Sequence, residues 1–417
     1  MTALSGLRVL ELAHERVAFA GKLLADMGAD VILIEPPGGD PARLYPPYAD
    51  DVPGPDRSLW WLHYHTSKRG VVLDLARDRE RFLALVDSAD ILLESEPINR
   101  LAALGLDHDA LRARRPGLIH AAVTPFGRNN PKSDLPATDL TLMAGGGPVW
   151  SCGYDDHTLP PVRGLGDQAL NTGCHYAVMA VLTAVLARMA TGRGQFIDVS
   201  IHAALNVTTE AGSYNWLVNQ STVQRQTGRH ASTVPTGPTQ VRCADGRYVN
   251  TGVPPRFPKE FASLEAWLKA LGLADELPEA VFLELGARWQ GPFDLSLIGK
   301  DDTITAVFGA GREALKLIAT RVSAYDFFIG CQRAGLPSGV IYAPEEAFED
   351  PHFQARGFQV PLDTPTLGRT IRYPGAPYRL PASPWRLYRP APRLGEHDAE
   401  ILGAAASRDT GRAPSSD

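Results

Sequence analysis

The sequence predicts an α/β fold: a doubly wound, Rossmann-like domain followed by a second, α+β domain. Three observations predict it. Short apolar runs recur through the first part of the chain, and helical patterns separate them, which is the alternation of parallel βαβ units. A polar stretch at residues 219–237 interrupts the alternation. Beyond it the pattern changes to short hairpins and helices.

In order, residues 9–12 read as the first strand, 18–27 as the first helix and 31–34 as the second strand. Residues 71–73, a helix capped by Asp78 and running to Val86, residues 91–93 and residues 118–123 continue the series. A long apolar helix follows Asp167 and ends against Gly192 and Gly194, with Arg193 set against its negative end. Residues 196–199 are the next strand and 203–218 an amphipathic helix. Residues 219–237, rich in Gln, Ser, Thr and Arg, read as a linker. The second domain opens at 241–250 with a hairpin on the Asp245-Gly246 turn, followed by helices at 261–271 and 314–321. A strand returns at 340–342, and 367–373 is a short hairpin arm. The Pro-rich residues 374–392 should run extended, and there is no internal repeat.

Composition narrows the function classes. With 417 residues, 44% hydrophobic and 21% charged, the chain can bury a sizeable core in two domains. A net charge of -6 without a Lys/Arg cluster argues against nucleic acid as a partner. The first residues lack the basic start and apolar run of a secretory signal, so a cytoplasmic protein is expected. Residues 173–190, the longest apolar run, are interrupted by His175 and Arg188, which favours a buried helix of a soluble protein over a membrane span. Cys152, Cys174, Cys243 and Cys331 lack C-x-x-C spacing, so neither a disulfide framework nor a metal site is expected.

A doubly wound sheet raises the question of a dinucleotide. Glu35 stands at the end of the second strand, where a ribose-binding acid lies in such enzymes. However, residues 13–21, between the first strand and helix, hold one glycine where the phosphate fingerprint needs three. The P-loop, H-E-x-x-H and G-x-S-x-G motifs are absent too.

The string Gly164-Leu165-Gly166-Asp167 places a carboxylate on a glycine-lined turn at a helix start. Small neighbours admit a thioester closely, and the helix end keeps the carboxylate ionised, so Asp167 is a candidate nucleophile. The same pattern is also the ordinary way to begin a helix, with Asp167 as a plain N-cap. Local pattern leaves both readings open.

Several landmarks, taken in chain order, resemble family III CoA-transferases, whose fold is shared by acyl-CoA racemases. They are Ser5-Gly6-Leu7-Arg8-Val9-Leu10-Glu11-Leu12, Gly28-Ala29-Asp30-Val31-Ile32, Glu35-Pro36-Pro37-Gly38-Gly39-Asp40, Lys68-Arg69, Leu73-Asp74-Leu75 and Ala89-Asp90-Ile91-Leu92-Leu93-Glu94. The two glycine turns at 164–167 and 191–195, Gly335-Leu336-Pro337-Ser338-Gly339-Val340 and Arg393-Leu394-Gly395-Glu396-His397 complete the set. The resemblance covers nearly the whole chain. It implies an interlocked homodimer and a large domain built from both chain ends: residues 1–220 and 331–405, around a small domain at 221–330, with a disordered tail at 406–417.

It also implies an acyl-CoA:carboxylate CoA-transferase in which Asp167 forms a covalent anhydride and then an aspartyl-CoA thioester. The partners would be an acyl-CoA and a carboxylic acid, with coenzyme A as substrate, no resident cofactor and no metal. Carried over position by position, the CoA-binding residues would be Arg16, Val17, Pro36, Lys68, Leu73, Ala76, Ser95, Glu96, Arg100, Thr138 and Asp139, and Gly237 would mark a substrate loop.

The chain departs from the family at several of these. Val17-Ala18-Phe19 replaces an Ala-Gly-Pro, Pro36 replaces a basic residue, Ala76 a Lys, Ser95-Glu96 an Asn-Phe, and a single glycine stands where relatives carry a run. Racemases of this fold carry a His where this chain has Thr138, and a hydroxyl cannot serve as the carbon base. A racemase or a non-catalytic CoA-binding protein are the alternatives. Lys68 and Arg100 also read as solvated charges, Asp139 as a helix cap, and Phe19, Trp60, Trp61, Trp150 and Tyr214 as core packing or an acyl site.

Overall fold

The structure is a computed structural model and describes residues 2–290 and 293–409. The chain forms two compact units. The first is made by residues up to Trp150, by Val162–Ser221 and by the chain from His352 onward; the second by Ser151–Pro161 and Thr222–Pro351.

The first unit holds β1 (Arg8–Leu12), α1 (Glu15–Asp26), β2 (Asp30–Glu35), α2 (Leu59–Tyr64), β3 (Arg69–Val72), α3 (Arg79–Asp87), β4 (Ile91–Glu94), α4 (Arg100–Ala103) and α5 (His108–Arg114). It continues with β5 (Ile119–Thr124), α6 (Asp139–Gly146), α7 (Gln168–Thr191), β6 (Phe196–Ser200), α8 (Ile201–Val207) and α9 (Glu210–Asn219). The six strands are parallel in the order β3-β2-β1-β4-β5-β6, the doubly wound arrangement expected. Val9, Val31, Ile91, Leu93 and Ala121 pack under α1 and α7 on one face, while Leu10, Ile32, Ile34 and Leu92 meet Phe82 and Val86 of α3 on the other. Both faces being covered, the inner strands are apolar almost throughout, which made them legible as runs.

Some expectations needed correction. The helix expected at 203–218 is two helices, α8 and α9, broken at Thr208 and Thr209, whose hydroxyls bond back to Leu205 O and Asn206 O. The stretch 219–237 is not a bare linker, since it carries β7 (Gln224–Gln226) and β8 (Arg229–Ser232), an antiparallel pair of polar residues without apolar alternation. Helix α7 is long and apolar enough by length and composition to cross a membrane, the one such helix among the described residues. Val178, Val181 and Ala184 on it are buried, and Met179, Leu186 and Met189 are exposed.

In the second unit β9 (Gln240–Arg242) and β10 (Tyr248–Asn250) form the expected hairpin. Helices α10 (Pro258–Ala270), α11 (Ala280–Ala287), α12 (Asp302–Arg321) and α13 (Ala324–Ala334) follow and bury Phe261, Leu264, Val307, Leu315 and Phe327. β11 (Gly339–Ile341) pairs with β10, so the chain returns to the first unit at His352, later than the expected residue 331. After α14 (Pro344–Ala347) and α15 (Pro351–Arg356), β12 (Gln359–Thr364) and β13 (Arg369–Pro374) make the last hairpin, and α16 (Asp398–Asp409) ends the description. Residues 406–409 of the expected tail are therefore helical, and 410–417 lie outside the described residues.

The final segment seals the sheet. Outward-facing N–H groups of the edge strand β3 are taken by side chains: Gly70 donates to His397 Nδ1 at 3.2 Å and Val72 to Asp398 Oδ1 at 2.9 Å. His397 N–H returns a bond to Gly70 O at 3.0 Å. The edge is thereby closed to a further strand.

Candidate active site

Asp167 occupies the N-cap position of α7 without capping it: its side chain makes no bond to its own helix. Instead Oδ2 accepts the indole N–H of Trp60 at 2.6 Å. The preceding Gly166 has φ +99°, a conformation that L side chains rarely adopt, and a Cβ there would meet open space. Among the described residues, no hydrogen bond engages the N–H groups of Gly164, Leu165, Gly166 or Asp167. The carboxylate is half-buried, held at one oxygen, beside free backbone donors.

An aromatic wall backs it. Trp60 packs against Tyr64 with ring centroids 4.5 Å apart and edge-on to Tyr45 at 5.6 Å, while Phe19 meets Tyr64 at 5.7 Å and His175 at 5.2 Å. Asn171, one turn into α7, donates to Tyr64 Oη at 3.1 Å. Burial, against that donor and with Asp167 nearby, pushes the Tyr64 phenol up to about 12. It therefore stays protonated at neutral pH.

Asp139 does the capping. Its Oδ1 accepts Ala169 N–H at 2.7 Å and Leu170 N–H at 3.3 Å, and its Oδ2 lies 3.2 Å from Arg163 Nη1. The same nitrogen of Arg163 donates to Gly164 O at 3.0 Å and Gly166 O at 2.8 Å, pinning the glycine turn. Thr138 caps α6 in a reciprocal box with Thr141. Both residues were carried over as CoA contacts; here they hold helix ends.

Two cavities open at the carboxyl ends of the strands, where β1 and β4 lead in opposite directions, the switch point at which open α/β sheets bind ligands. The larger, about 500 Å³, is lined by Arg16, Pro36, Leu73, Glu96 and Arg100 from the expected set, together with His14, Glu15, Asp40, Tyr45 and Asp74. The second, about 400 Å³, shares His14, Arg16, Glu96 and Pro97 with it and adds Ser95, Thr124 and Arg128. Ser95 Oγ and Thr124 Oγ1 are buried there without a hydrogen-bond partner. Arg100 is paired with Glu96 at 3.0 Å, and Arg128 with both oxygens of Glu94 at 2.8 and 3.0 Å. Tyr45 links the larger cavity to the aromatic wall behind Asp167 through Trp60.

Helix α1 starts at the mouth of both cavities. His14 Nδ1 accepts Arg16 N–H at 3.2 Å, and burial and the neighbouring guanidinium hold the imidazole down at about 4. Arg16 Nη2 donates to Ala137 O at 3.2 Å.

Other carried-over residues do not reach this site. Val17 is fully buried in the core under the sheet. Lys68 is fully buried, its ammonium bonded to Glu11 Oε1 at 2.8 Å, Ala18 O at 2.8 Å and His65 Nδ1 at 3.1 Å, so it is neither a ligand contact nor a solvated charge. Ala76 is exposed on the loop after Asp74 and lines neither cavity. Gly237 lies in the second unit, where a Cβ would stand 2.1 Å from Arg312 Nη1. Trp61 is core, stacked under the Arg43 guanidinium at 4.0 Å, while Trp150 and Tyr214 are exposed. Glu35, the dinucleotide candidate, is buried and takes Arg43 Nε and Nη2, each at 2.7 Å, leaving no carboxylate for a ribose. Arg163, Asn171, Tyr45 and Arg128 are the residues that sequence reading missed. Arg163 alone carried a signal, a cation just before the glycine turn.

The model of CoA-transferase family III matches residues 4–398. The chain is 32% identical over 400 residues to succinyl-CoA:(R)-benzylsuccinate CoA-transferase subunit BbsE of Thauera aromatica, covering 95% of this chain and 93% of that one. It is 30% identical to succinate--glutarate CoA-transferase of Agrobacterium fabrum, covering 96% and 94%. Among solved structures, a CAIB/BAIF family protein from Brucella suis superposes with a TM-score of 0.76 at 24% identity over 97% of this chain and 99% of that one, a likeness of fold.

Proposed function

Because this chain belongs to CoA-transferase family III and is an enzyme of that family, we propose that it moves CoA from an acyl-CoA to a carboxylic acid through covalent intermediates on Asp167. The observation that carries the reading is the state of that carboxylate: at a helix start yet free of capping, held at Oδ2 by Trp60, after a glycine whose φ L side chains rarely adopt.

The free Asp167 oxygen attacks the thioester carbonyl, the C–S bond breaks, and a mixed anhydride and CoA thiolate form. The thiolate attacks the aspartyl carbonyl of the anhydride, releasing the donor acid and leaving an aspartyl-CoA thioester. An acceptor carboxylate repeats the sequence in reverse and leaves as the new acyl-CoA, regenerating Asp167. Unengaged N–H groups at Gly166 and Asp167 are the available donors to the oxyanion. The two cavities would take the CoA, with Arg16, Arg100 and Arg128 as the cations that line them. Thr138, locked in its capping box, offers no base at carbon, which favours transfer over racemisation.

We further place the enzyme in the cytoplasm as an interlocked homodimer. Exposed Trp216, Leu217 and Val218 on α9 and Leu186 and Met189 on α7 support a covered surface in the assembly.

The test is a panel of acyl-CoA donors, succinyl-CoA first because both named relatives carry succinyl or succinate in their names, against carboxylic acids. New acyl-CoA and a CoA adduct on the Asp167 peptide by mass spectrometry are expected. Binding of CoA without any transfer overturns the reading, and deuterium uptake at the α-carbon without an acceptor acid would replace it with racemisation.

A further inference from the structure

The first N–H groups of an α-helix have no partner within it, and the N-cap side chain ordinarily supplies one. In α7 the residue at that position is Asp167, whose carboxylate faces Trp60. The N–H groups of Ala169 and Leu170 are nevertheless satisfied, by the Oδ1 of Asp139 from the first turn of α6. Its other oxygen meets Arg163, whose guanidinium also grips the carbonyls of Gly164 and Gly166. One helix end thus has two carboxylates within reach of one task, and the one further along the chain is spared it.

We propose that Asp139 is the positioning residue of this site, capping α7 in place of Asp167 so that the Asp167 carboxylate stays turned toward Trp60 and the substrate. This rests on the reading of Asp167 as nucleophile. A carboxylate bonded to helix N–H groups has its lone pairs engaged and its basicity lowered by the helix dipole, both of which blunt attack on a carbonyl. When Asp139 is removed, Asp167 is the acceptor that stands at the N-cap position, and it rotates onto its own helix.

Two measurements separate this from a merely structural role. In the first, kcat and KM are compared for Asp139→Ala and Asp139→Asn. The amide oxygen of Asn accepts the same two N–H bonds, so Asp139→Asn keeps kcat within about threefold while Asp139→Ala lowers it at least about tenfold at unchanged KM. Equal losses in the two variants would assign Asp139 a charge or proton role and overturn the proposal.

The second is a thermal cycle that needs no substrate. Asp167→Ala shifts Tm by less than about 1 °C in the wild-type background but by about 2–4 °C in the Asp139→Ala background, where Asp167 has become the cap. Equal shifts in both backgrounds overturn the exchange. If the wild-type protein transfers no CoA, the proposed function fails, and this cycle still decides the capping exchange.

Discussion

Glu11 and Asp167 are both carboxylates of the first unit, and the structure holds them in opposite ways. Glu11 is fully buried on β1, bonded to Lys68 at 2.8 Å, with its second oxygen in the space left by Gly21, where a Cβ would stand 1.6 Å away. Burial pushes its proton affinity up while Lys68 pulls it down. Asp167 is half-buried, held at one oxygen by a neutral donor, and its helix is capped by another residue. The contrast teaches that a carboxylate enclosed with its counter-ion is spent on the fold, whereas one restrained at a single oxygen remains able to react. Glu35 repeats the first case with Arg43.

The largest effect belongs to Asp167→Ala, which should lower transfer on the order of 10⁴-fold, about 5 kcal/mol of barrier, with no change in urea stability beyond about 0.5 kcal/mol. A comparable loss of stability would mean Asp167 serves the fold after all. Lys68→Met should do the reverse: leaving Glu11 buried without its partner costs roughly 3–5 kcal/mol by denaturant titration, while the folded fraction transfers CoA within about twofold of wild type.

Trp60→Phe keeps the aromatic wall and deletes the donor to Asp167. On the proposed role of Asp167, a fall in kcat of about 10–100-fold is expected, with KM within about twofold, because the indole holds that carboxylate in place. An unchanged kcat would leave the single-oxygen restraint without a role.

The smallest effect concerns pH. His14 titrates at about 4 in the folded protein against an ordinary 6.5, so the unfolded chain binds more protons between those values. Its contribution to stability is present above pH 6.5 and is lost as pH falls toward 4. His14→Asn preserves the cap and removes the titration, so it should flatten the loss of stability across that window. An identical slope in the variant would place the pH dependence elsewhere, His63 being the next group held down by burial.

Much of the architecture was legible in the sequence because β1, β2, β4 and β5 are buried on both faces and so read as apolar runs. The break between α8 and α9 was not, since it turns on two threonine hydroxyls competing for backbone. At the site, Asp167 stood out through its glycines, but its freedom from capping depends on Asp139, 30 residues before Ala169, and no local pattern records that. Lys68 shows the opposite failure. A lysine beside a strand reads as a solvated charge or an anion ligand, and only its enclosure by Glu11, His65 and the Ala18 carbonyl reveals it as part of the core.

The closure of β3 by His397 and Asp398 also sets a timetable for synthesis. Gly70 leaves the ribosome 327 residues before the histidine that covers it. At roughly 5–20 residues per second, the edge strand stays open on the order of tens of seconds on every nascent chain. The sheet is thus finished last at its first-made border.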